Sequence, residues 1–279
     1  MTTNRFSETD MKAFEPTEKI GIVATVTPEG LPHISLLTSV MAATPHQLIV
    51  GEFCKGKSKE YMQRTGKIGF AVMTMDKKLW RGKAVWTHLK KEGPEYETYN
   101  QQPMFRYNTY FGINTVHYFD LIQTSPGNSL PLLSIVKSVL LTKMAKDAAK
   151  GNAERVLSYF GEKIFNRPDS IKFLSLTGKD GFPEIIPVIQ CQAADSRRLV
   201  FNPGAFGNEL KALQPGTTAA VFCMTMKMED VLVRGVFKGY SRFRGIKLGT
   251  LDIDWVYNSM PPNHGQIYPP VPLERVVNF

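Results

Sequence analysis

The sequence predicts a mainly β protein made of two small β-barrels fused in tandem and joined by helices. Three observations carry this. The chain repeats itself at a fixed offset, each copy reads as short strands separated by turn residues, and one stretch of helical periodicity lies between the copies. At 279 residues, with 43% apolar content, the chain is long enough for two ordinary cores.

The repeat comes first. Ile20-Gly-Ile-Val-Ala-Thr-Val-Thr-Pro-Glu-Gly-Leu-Pro-His-Ile34 aligns with Ile171-Lys-Phe-Leu-Ser-Leu-Thr-Gly-Lys-Asp-Gly-Phe-Pro-Glu-Ile185 at an offset of 151. Identities continue at Ala42-Ala43/Ala193-Ala194, Leu48/Leu199, Gln63/Gln214 and Met73-Thr-Met75/Met224-Thr-Met226. A shift of two residues then matches Arg81-Gly82 to Arg234-Gly235. At an offset of 134, Tyr118 to Ser125 matches Asp252 to Ser259.

Within copy one, Ile20 to Val26 reads as a strand and Pro28-Glu-Gly30 as its hairpin turn, with Gly supplying positive φ. Pro32 to Val40, Gln47 to Val50, Lys67 to Met75 and Lys83 to His88 follow as strands rich in β-branched and aromatic residues. Lys57 to Gln63 is a short helix ended by Thr65-Gly66. Gly93-Pro-Glu-Tyr-Glu97 opens another, because Pro suits the first helical position and acidic groups suit the positive end of the dipole. Copy two lacks that second helix. Leu130 to Asn166 has helical periodicity at Leu133, Val136, Leu140, Met144, Val156, Tyr159 and Phe160, and reads as one or two linker helices. The expected organisation is an N-terminal segment (1–15), barrel one (16–125), a helical linker (126–166), barrel two (167–260) and an extended tail (261–279).

Composition excludes several classes. Charged residues at 21%, with 22 Gly and 18 Pro, do not fit a disordered chain, a collagen or a coiled coil. Three scattered cysteines make neither a disulfide framework nor a zinc knuckle and favour a reducing compartment. Five histidines show no ligand spacing, so no metal site is expected. The start carries no apolar signal segment, and Leu130 to Met144 is too short to span a bilayer, so the expectation is a cytoplasmic protein with no membrane partner. The net charge of +9 favours anions, but the basic residues form no tail or stripe, so no nucleic-acid partner is expected.

Gly51-Glu-Phe-Cys-Lys-Gly-Lys-Ser58 satisfies the P-loop pattern after a strand and before a helix. The helix is too short, and no alternation of strands with long helices surrounds it. What survives is an anion site: backbone N–H groups at a helix start, Lys57 and the Ser58 hydroxyl. Copy two has Asn208-Glu209 in place of Lys57-Ser58.

The runs Pro32-His-Ile-Ser-Leu-Leu-Thr-Ser39 and Gln47-Leu-Ile-Val-Gly-Glu-Phe-Cys-Lys-Gly-Lys-Ser58, followed by Arg81-Gly82 and Gly93-Pro-Glu-Tyr96, resemble the FMN-binding split-barrel family, the pyridoxamine phosphate oxidase-like flavoproteins. The resemblance implies tandem split barrels with FMN as cofactor. It places Leu36, Leu37, Thr38 and Ser39 along the isoalloxazine and ribityl chain. Gly51, Glu52, Phe53 and Cys54 would meet the flavin through backbone groups, and Lys57 and Ser58 would bind the phosphate. It implies a redox flavoprotein, an oxidoreductase or electron carrier with a small-molecule or protein redox partner. Gly56 stands where the oxidase proper has Arg, so oxidation of pyridoxamine phosphate is not implied. A tandem supplies an intramolecular pseudo-dimer, with a homodimer also open. Haem, with His264 as the exposed candidate, deazaflavin and P-loop-type nucleotide binding are the alternatives. Side-chain acid–base catalysis is not expected, because the flavin itself carries the redox chemistry.

Overall fold

The computed structural model describes residues 2–53, 56–105, 112–151, 154–258 and 265–271. By their contacts these form two compact units. The first is residues 1–130 with 177–185, and the second is 131–176 with 186–279.

In the first unit, helix α1 (Glu8–Phe14) precedes strands β1 (Lys19–Val26), β2 (Pro32–Leu36), β3 (Met41–Thr44) and β4 (Gln47–Glu52). Helix α2 (Lys57–Thr65), β5 (Lys67–Thr74), β6 (Lys78–Lys90), α3 (Pro94–Gln101), β7 (Thr115–Thr124) and β8 (Asn128–Ser129) follow. The sheet runs β2-β1-β5-β6-β7-β4-β3, with β8 on β6, and every pairing is antiparallel. The two ends of that order, β2 and β3, are joined by residues 37–40 alone. A flat sheet of seven strands would hold its edges roughly 29 Å apart. Five extended steps reach about 18 Å at most. The sheet must therefore curl, and the curl encloses Val23, Leu48, Val50, Ile68, Phe70, Val72 and Phe119. Phe6 and Phe14 join the same core from the α1 segment.

Copy two repeats this order. Helix α4 (Leu132–Ala145) precedes it, and it begins with α5 (Tyr159–Asn166), then β9 (Ile171–Thr177), β10 (Pro183–Pro187), β11 (Gln192–Ala193) and β12 (Arg198–Phe201). Helix α6 (Gly207–Leu210), β13 (Thr218–Met224), β14 (Asp230–Phe243), β15 (Ile246–Asn258) and β16 (Gly265–Tyr268) complete it. Its sheet is β10-β9-β13-β14-β15-β12-β11, the order of the first sheet strand for strand. Val23 faces Phe70 in the first ladder, and Leu174 faces Val221 in the second, at the same offset of 151. The bulges at Lys83/Ala84 and Trp86/His88 recur at Arg234/Gly235 and Phe237/Gly239. In place of α3, β14 and β15 meet in a tight turn with Arg244 and Gly245 both at positive φ.

The ladders correct the sequence alignment in two places. Arg81 faces Ala71 and Leu232 faces Phe222, so the offset of 151 holds through β6 and the two-residue shift to Arg234 does not occur. Asp120 faces Gln47 and Asp252 faces Arg198, so β7 and β15 correspond at 132 rather than 134. A slip of two residues keeps every side chain on its face of a strand, and the apolar pattern cannot detect it.

The repeat also starts earlier than the sequence reading placed it. Ser7 caps α1 through the Asp10 amide, and Ser158, at the same offset, caps α5 through the Gly161 amide. Phe14 and Phe165 are the corresponding buried anchors. The second linker helix is thus the opening helix of copy two. Two further expectations change. The strand from Pro32 ends at Leu36, because the Val40 amide turns back to the Leu37 carbonyl at 3.1 Å. The apolar periodicity of 133–144 does mark a helix, but Leu133, Val136, Leu140 and Met144 face outward.

Candidate functional site

The candidate anion site forms where β2 ends beside the start of α2. Gly56 is the extended N-cap of α2 and supplies no side-chain cap, while Gly66 stops the helix at φ 69°. Met62 pins α2 into the core, and that rotation turns Ser58 inward, where it is buried. Its hydroxyl meets the Ser35 hydroxyl. His33 Nε2 lies 3.5 Å from Ser35 Oγ, and the buried His33 ring sits edge-on to Tyr61 at 5.4 Å. Lys57 is half-exposed and donates to Glu60 at 3.0 Å. Glu60 also accepts from Arg64 at 3.3 Å, and the Lys57 hydrogen bond, first, holds its carboxyl below the usual range. Two hydroxyls, one from β2 and one from α2, with a lysine at an uncapped helix start, suit a dianionic phosphate.

The expected flavin strand is a tie rather than an open edge. Leu36, Leu37 and Thr38 are half-buried, and the Leu37 amide donates to the Gly21 carbonyl at 2.7 Å. Ser39 is buried and donates to the Gly51 carbonyl at 2.8 Å. The Tyr99 hydroxyl donates to the Ser39 carbonyl, and burial pushes this phenol well above its ordinary pKa. A Cβ on Gly51 would come within 2.7 Å of the Ile113 side chain, so the glycine admits Ile113. Phe53 is half-buried 6.2 Å from the Phe105 ring, and its carbonyl accepts from Asn114 Nδ2 at 2.7 Å. Cys54 lies outside the described residues. The structure therefore gathers Ser39 with Gly51 and Ser35 with Ser58, and commits the 37–39 backbone to Gly21 and Tyr99.

Glu52 carries a side-chain role that the sequence reading did not foresee, since only its backbone was expected to matter. Alternation along β4 sends Glu52 to the same side as Leu48 and Val50, into the barrel. There its carboxylate lies 2.8 Å from His117 Nε2. The Trp86 indole donates to His117 Nδ1 at 3.2 Å. An indole N–H can only donate, so Nδ1 accepts and Nε2 carries the ring proton toward Glu52. His117 is fully buried and Glu52 nearly so. The counterparts in copy two are Phe237, Gly249 and Pro203, at the offsets the ladders define. The polar chain belongs to copy one alone. The sequence signal was available: a Trp, a His and a Glu on inward positions of three strands, each answered by an apolar or small residue 151 or 132 positions on.

Copy two also lacks the anion cluster. Ile186 corresponds to Ser35 and Glu209 to Ser58, and α6 is a single turn. The P-loop alternative fails on topology: the sheet beside Gly51–Ser58 is antiparallel throughout, and α2 spans nine residues. Among the described residues no group of three or more His, Cys, Asp or Glu is placed to hold a metal ion. His264 lies outside the described residues.

No protein-family model and no curated protein matches the sequence. Solved structures resemble part of the chain. An FMN-binding protein from Syntrophomonas wolfei is 16% identical, with TM-score 0.35, covering 43% of this chain and 84% of its own. A protein described as a pyridoxamine 5'-phosphate oxidase from Lactobacillus delbrueckii is 18% identical, with TM-score 0.34, covering 44% and 96%. An F420 reductase is 12% identical, with TM-score 0.33, covering 43% and 98%. Each spans about the length of one repeat of this chain. The chain is a mainly β protein in which one curled antiparallel sheet occurs twice in tandem, with the same strand order.

Proposed function

We propose that the first unit binds FMN and that the protein is a redox flavoprotein, with the cofactor phosphate at Ser35, Ser58 and Lys57. The observation that carries this reading is the inward-turned pair of hydroxyls at the uncapped start of α2. In this reading the Ser35 and Ser58 hydroxyls, which meet each other here, turn to the phosphate, Lys57 exchanges Glu60 for it, and the amides of the first helical turn complete the shell. Bound flavin supplies hydride or electron transfer. The chain positions it, and the Leu36–Ser39 tie keeps the adjoining backbone fixed. The same cluster would accept the phosphate of a deazaflavin, so that ligand is a second arm of the test.

Titration of the purified protein with FMN, riboflavin and F420, followed by fluorescence, tests the reading. FMN is expected to bind far more tightly than riboflavin, which lacks the phosphate. Ser58→Ala and Lys57→Ala each weaken FMN by about 1–3 kcal/mol, while Asn208→Ala leaves it unchanged. Equal affinity for FMN and riboflavin would remove the phosphate site. Preference for F420 would assign the deazaflavin.

A further inference from the structure

Helix α4 is inside out. Its inner face is mostly small and polar: beside the buried Ile135, Ser138 accepts from the Ala205 amide at 3.0 Å, Thr142 accepts from the Asn202 amide at 2.9 Å, and Ala145 packs with Val200 and Leu248. Its outer face is apolar. Leu133 is 90% exposed, and Val136, Leu140 and Met144 are each more than half exposed. At about 100° per residue these four form one stripe opposite the packed face, and Lys137 and Lys143 flank it about 60° to either side. The helix carries no carboxylate. Lys146 follows at its C-terminal end, and Arg244 donates to the Met144 carbonyl at 3.1 Å.

We infer that the outer face of α4 docks on an anionic phospholipid surface. The stripe enters the acyl boundary while Lys137 and Lys143 reach up to the phosphates, their stems lying along the apolar band. Charge selects this occupant. Pairing with α4 of a second copy would set lysine flanks against lysine flanks; α4 itself carries no acid to relieve them, and Asp147 just beyond it is paired with Lys150. Leu, Val and Met also lack the Trp, Tyr or Arg anchors that dominate protein–protein contacts. Beyond the stripe, Lys146 is bonded to Asn166 of α5 at 2.6 Å. No described helix is long and apolar enough to cross a membrane, so the mode is surface docking. The site is independent of flavin and departs from the expectation of no membrane partner.

The test is cosedimentation of the full chain with phosphatidylcholine vesicles, with and without phosphatidylglycerol. The wild type is expected to bind the anionic vesicles and to be released by salt. Leu133→Ser with Leu140→Ser lowers binding at least tenfold, and Lys137→Gln with Lys143→Gln does the same, both with an unchanged circular dichroism spectrum. The proposal is overturned by absence of wild-type binding or by equal binding to neutral vesicles. It is also overturned if the leucine variant binds as the wild type does, which would indicate a general basic surface. A wild-type dimer in sedimentation velocity that becomes a monomer in the leucine variant would assign the stripe to a second copy instead.

Discussion

Replacing His117 by Leu removes both links of the Trp86–His117–Glu52 chain at once. The indole N–H loses a neutral acceptor, worth about 1 kcal/mol, and the Glu52 carboxylate loses a charge-assisted donor, worth about 1.5–3 kcal/mol. A carboxylate that is 8% exposed then stands without its partner, so the expected loss is about 3–5 kcal/mol. Glu52→Gln keeps an acceptor for the Nε2–H and costs about 1–2 kcal/mol. The two changes interact. With Gln at 52 no charge is stranded, and His117→Leu becomes cheaper by about 1–2 kcal/mol. Urea unfolding of the four proteins, followed by circular dichroism at fixed pH, closes this cycle. A loss under about 1 kcal/mol for His117→Leu, or the same loss in both backgrounds, would refute the claim that a stranded carboxylate sets the cost.

Lys19 is buried and donates to the Pro16 carbonyl at 2.7 Å. Burial lowers its pKa from 10.5 to about 8, against a smaller opposing pull from Glu18. Between those values the unfolded chain holds more protons. The stability contributed by Lys19 is therefore complete above about pH 10.5 and is lost as pH falls through about 8. Relative to Lys19→Met, wild-type stability should rise by up to about 3 kcal/mol from pH 7 to pH 10.5, and parallel curves would show that the amine is solvated. Cys191 and Cys223 fill core positions of the second unit, and burial pushes both thiols up to about 12. Mass mapping after iodoacetamide treatment at neutral pH should find them unlabelled in the native protein and labelled in urea; native labelling would contradict their burial.

Much of this was legible in the sequence because it is local. The hairpin turns at Gly30 and Gly181, the stop at Gly66 and the Pro94 helix start follow from backbone chemistry that neighbours cannot alter. The tandem repeat was written twice, so it announced itself. The start of a short helix at Lys57-Ser58 was likewise visible. Ser35 lay inside the run that carries the family resemblance, yet its role required knowing that β2 ends against α2.

Tertiary structure decided the rest, for reasons of geometry. Strand patterning has period two, so a two-residue slip at Arg81 and at Asp120 left the sequence unable to fix register; only the ladders do so. Apolar periodicity located α4 but not which face it buries, because Ser138 and Thr142 satisfy the Ala205 and Asn202 amides and turn the leucines outward. Glu52, Trp86 and His117 are far apart in the chain, and only the pairing of β4, β7 and β6 as neighbours brings one carboxylate, one ring and one indole together inside the first barrel.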